Sequence, residues 1–60
     1  MTRRAVDALF LAMFALTDIR AILRTSAPDH RLDETEKEEV RRLIAQVRQQ
    51  VSHLEEDLAS

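Results

Sequence analysis

A chain of 60 residues makes at most one domain, and at this length the share of surface that folding buries is small enough to leave stability marginal. Cysteine is absent, which excludes disulfides and thiolate metal sites, and 11 acids against 9 bases leave a net charge of −2, too weak a field to draw the chain to nucleic acid or an anionic bilayer. No glycine, one proline and two phenylalanines as the only aromatics favour long helices over strands, so the expected fold class is all-α, and the lack of cysteine fits a cytoplasmic protein.

The first predicted helix runs from about residue 2, with Thr2 as N-cap, to about residue 25, and Arg20 and Arg24 near its end complement the carbonyl end of the helix dipole. Wound at about 100° per residue, it is apolar nearly all the way round. Ala5, Ala8, Ala12, Ala15, Ile19 and Ile22 alternate steps of three and four, a seam of small residues that permits close backbone approach. Leu9, Met13, Leu16 and Leu23 widen the apolar surface on one side, and Phe10 and Phe14 form its shoulder. Only Asp7, Asp18 and Thr25 mark a clearly polar edge.

Arg3 and Arg4 followed by the apolar run Ala8–Leu16 imitate a secretory signal. Asp7 interrupts the basic stretch, however, and Asp18, Arg20 and Arg24 stand where a small-residue cleavage region belongs, so no signal peptide is expected. The apolar run is also shorter than the roughly 20 residues that cross a bilayer.

Ser26-Ala27-Pro28-Asp29 breaks the helical pattern, because proline disfavours helical geometry at Ala27 and lacks an N–H at its own position. The predicted connector is 26–32. The second helix is predicted over about 33–59, with Asp33 as N-cap and Glu36 as its capping-box partner. Its apolar stripe comprises Val40, Leu43, Ile44, Val47, Val51, Leu54 and Leu58, assigned here to the hairpin core, and a Glu38–Arg42 pair at i,i+4 supports the exposed side. Glu55, Glu56 and Asp57 oppose the dipole, so this end is expected to fray or to meet a cation on another chain.

Two matched arms on a short link fold back as an antiparallel two-helix hairpin. One narrow stripe cannot cover a nearly complete apolar cylinder, so the hairpin is expected to self-associate into a dimeric four-helix bundle. The expected oligomer interface is Ala5, Ala8, Leu9, Ala12, Met13, Ala15, Leu16, Ile19, Ile22 and Leu23. Phe10 and Phe14 are expected first of all to fill the core, and with Arg20 they are the alternative candidates for a patch that contacts a larger protein. Arg20, set among apolar residues, either snorkels to water or pairs with an acid of the partner chain.

Lys37, Arg41, Arg42 and Arg48 offer an alternative contact for nucleic-acid phosphates, but interleaved acids and the lack of Tyr, Trp or glycine-rich elements make a solvated, ion-paired face the better reading. His53 with Asp57, and His30 with Asp33, do not assemble three or four converging ligands, so no metal or cofactor is expected. Ser26, Ser52 and Ser60 lie in no nucleophile motif, and Asp7 and Asp18 sit about 16 Å apart along the helix, too far to share a proton. The expectation is a non-enzymatic interaction or oligomerisation module, a small adaptor or regulator whose first partner is itself, with neither nucleic acid nor membrane among its expected partners.

Overall fold

The computed structural model describes residues 3–59, and Thr2, the expected N-cap of the first helix, and Ser60 lie outside them. Helix α1 spans Arg3–Thr25 and helix α2 spans Glu34–Leu58. They pack side by side in an antiparallel hairpin, with Arg4 at the start of α1 against Glu56 and Asp57 at the end of α2, and the whole measures 40 × 16 × 14 Å.

The start of α2 follows from its sequence. The Asp33 backbone is extended, its side chain accepts from the Glu36 N–H at 2.7 Å, and the Glu36 carboxylate accepts from the Asp33 N–H at 3.0 Å. Two N–H groups that the first turn leaves without helical partners are thereby satisfied, and Glu34 and Glu36 add negative charge at the positive end of the dipole.

The end of α1 is closed from the connector. The Ser26 N–H donates to the Ile22 carbonyl at 3.1 Å, the Ser26 hydroxyl to Leu23 at 3.1 Å, and the Thr25 hydroxyl to Ile22 at 2.9 Å. His30 completes the cap: its N–H donates to the Ser26 carbonyl at 2.9 Å, and its Nδ1 lies 3.1 Å from the Leu23 carbonyl oxygen. To reach this position His30 adopts φ 55°, in the left-handed region where histidine is among the better tolerated non-glycine residues. The Ala27–Pro28 peptide within this turn is cis.

The seam between the helices corrects the expected division of surfaces. Ala5, Ala8, Ala12 and Ala15, assigned from sequence to an oligomer interface, are buried inside the hairpin against α2, with Ile19 and Ile22 half-buried further along the same line. Methyl side chains let two backbones approach closely, and Leu43 of α2, only 1% exposed, fills the space they leave. Val40, Val47 and Leu54 are half-buried along the seam, as are the polar Glu36, Gln50 and Asp57.

Ile44, Val51 and Leu58, expected in the hairpin core, are instead exposed. The physical reason is rotational. With the alanines facing α2, the inward line of α2 runs Val40, Leu43, Val47, Gln50, Leu54, and the stripe Ile44, Val51, Leu58 lies one step round on its flank.

Candidate interaction surface

The closed seam leaves a broad apolar surface outside it. Leu9, Leu16 and Leu23 of α1 repeat every seven residues and each follows a buried seam residue, Ala8, Ala15 or the half-buried Ile22; on α2, Ile44, Val51 and Leu58 repeat in the same way. In an antiparallel left-handed pair the positions that follow the seam fall on the same side of both helices. The six residues therefore make one face of the hairpin, and all are substantially exposed, Leu16 to 52%.

The opposite edge carries the ion pairs between the helices, with Leu11, 51% exposed, standing between Arg4 and Asp18 in the same row. Arg4 donates to Glu56 at 3.2 Å and lies 3.7 Å from the Asp57 carboxylate. Asp18 of α1 lies close enough to Arg42 of α2 to act on its charge, and Arg42 engages Glu39 with two N–H groups, Nε at 3.1 Å. The hydrogen bonds from Arg42 hold the Glu39 carboxyl below its usual range, opposed by slight desolvation and helped by the charge of Arg42; the same contacts, with a smaller one from Asp18, raise Arg42. Two sequence expectations change here: Arg42 pairs with Glu39, one turn back at i−3, and not with Glu38, and the cation at the acidic end of α2 is Arg4 of the same chain.

The remaining candidates divide by position. Phe10 and Phe14 are not core filler: they lie on the outer surface of α1, Phe14 62% exposed, with ring centroids 6.4 Å apart at 28°. Met13 and Arg20 are exposed on the α1 side of the leucine face. The four basic residues of α2 do not act as one ridge. Lys37 pairs with Glu34 at 3.4 Å and Arg42 with Glu39 on the opposite edge, while Arg41 and Arg48 stand exposed along the α2 rim of the leucine face, in line with Glu55.

His30 and Asp33 are committed to helix caps, and Asp57 to Arg4. Among the described residues no group of three or more acids and histidines is placed to hold a metal ion, no pocket indents the surface, and no helix is long and apolar enough to cross a membrane. The leucine face had a sequence signal, the sevenfold repeat of Leu9, Leu16 and Leu23 with that of Ile44, Val51 and Leu58. It is decisive only once the alanines are known to face inward. Comparison with known proteins returned no matching family model, no matching curated protein and no matching solved structure.

Proposed function

We propose that this chain is a non-enzymatic interaction module of the cytoplasm that works as a homo-oligomer, two hairpins stacking their leucine faces into a four-helix bundle. The observation that carries the reading is the exposure of Leu9, Leu16, Leu23, Ile44, Val51 and Leu58 on one side of a hairpin whose own seam is already closed. Fully burying such a side chain contributes roughly 1.5–3 kcal/mol, and these residues are each about half-way there, so covering all six returns a sizeable fraction of that value several times over. Contiguous apolar surface of this kind marks contact sites in small proteins. Phe10 and Phe14 lie outside the stacked face and supply the aromatic anchor for a larger protein partner. The nucleic-acid alternative has less support, because Lys37 and Arg42 are already paired with acids of α2.

Sedimentation equilibrium over a hundredfold dilution tests the reading. Dimer mass with a melting temperature that falls on dilution is the expected result, and Leu16→Glu shifts the population to monomer. A folded wild-type monomer at every concentration overturns it.

A further inference from the structure

We infer that the two copies stack with their connectors at opposite ends, so that Glu55 of each pairs with Arg41 of the other across the α2 edge. The inference rests on the self-association reading and adds the orientation and register of the second copy.

The observation behind it is the set of charges that flank the leucine face. Away from the leucine face Arg4 and Arg42 have acidic partners within the chain, as does Arg3 with Asp7, and Lys37 pairs with Glu34 at the connector end of that face. Along the rim of the leucine face Arg20, Arg41, Arg48 and Glu55 are exposed, and none makes an ion pair among the described residues. Glu34, Arg41, Arg48 and Glu55 are spaced by seven residues, so they stand in one row; Glu34 at the connector end is paired with Lys37, which leaves Arg41 and Arg48 as cations in the middle and Glu55 as the acid toward the open end.

Two stackings cover both leucine faces with a twofold axis. In one the axis runs along the hairpin, the connectors share an end, and α1 of one copy lies over α2 of the other. That arrangement sets Arg20 against Arg41 of the second copy, twice, and leaves Glu55 over the apolar Val6. In the other the axis crosses the hairpin, the connectors point apart, and α2 lies antiparallel on α2 of the second copy.

The second arrangement overlaps Leu9 with Leu16 and Val51 with Ile44 of the facing copy. In that register Arg48 falls on the axis, and Glu55 and Arg41 lie about 10 Å to either side of it, each opposite the other's counterpart. Two opposite-charge contacts replace two like-charge contacts. The cost is Arg48 facing its own copy at the solvent-exposed rim, where water and salt screen the repulsion. Arg20 lies over Val6 of the second copy, its stem on apolar surface and its head in water.

Charge reversal at the rim tests the orientation in the intact chain. Glu55→Arg and Arg41→Glu each weaken the homodimer about 3- to 30-fold, more at low salt. Mixing the two single variants gives a heterodimer in preference to either homodimer, because both rim contacts are then Arg with Glu, and Arg48→Gln tightens the wild-type dimer. Circular dichroism at each step confirms that helicity is unchanged, and Glu55→Gln, with a smaller loss in the same direction, serves if a reversal disturbs the fold. A wild-type dimer for which Glu55→Arg is neutral and Arg41→Glu tightens binding overturns the orientation while leaving self-association intact. A monomeric wild type overturns both.

Discussion

The Arg4 guanidinium lies 3.2 Å from the Glu56 carboxylate, joining the first turn of α1 to the last turns of α2 at the open end of the hairpin. An acidic cluster at the negative end of a helix dipole is unfavourable by itself, and Arg4 offsets it from the neighbouring helix.

Reversing that cation loosens one end of the molecule without unfolding it. Arg4→Glu costs about 1 kcal/mol, the upper end for an exposed pair, because Arg4 and Glu56 are more than half exposed while the new carboxylate also faces Asp57, whose side chain is 15% exposed. The expected signature is faster amide exchange in the last turn of α2, with the protection of residues around Leu43 preserved.

Packing at the seam is far less forgiving. Leu43→Ala opens a cavity beside the alanines and costs about 2–5 kcal/mol. Ala8→Leu overfills the same close approach and costs about 1–3 kcal/mol or forces the helices apart. Both appear in urea unfolding at fixed protein concentration, which keeps any association constant between samples. An Ala8→Leu protein as stable as wild type would contradict the close seam.

Asp33→Ala removes the acceptor for the Glu36 N–H and costs about 1 kcal/mol, within a usual span of about 0.5–2. Asp33→Asn keeps an acceptor in place and retains most of the stability, and thermal melts of the two variants separate capping from charge.

The Glu39–Arg42 contact predicts a small acid-side dependence. The folded carboxyl titrates below its usual value of 4.5, so its contribution is complete above that value and is lost as pH falls through the lower folded value. Carbon-detected titration of the Glu39 carboxyl is expected to show the depressed midpoint. Arg42→Gln returns that midpoint to the usual range, and added salt narrows the difference in the wild type.

Local chemistry made much of this molecule readable from its residues. The Ala27-Pro28 break, the Asp33–Glu36 capping box and the absence of glycine determine two helices and the turn between them, because each depends on groups a few residues apart. The close-packed role of the alanine seam was also legible, but its partner was not. Residues 5–23 offer apolar side chains on nearly every side, so periodicity cannot say whether the alanines or the leucines face α2.

Only the tertiary structure decided that. Bringing the alanines inward allows the shortest approach of the two backbones around Leu43, and it turns Leu9, Leu16, Ile44 and Val51 out onto a common face. The same rotation places Arg4 beside Glu56 and leaves Arg41 and Glu55 at the rim. A helix's own sequence states which residues are apolar. Which of them is covered depends on the shape of the neighbour, and that is a property of the packed pair.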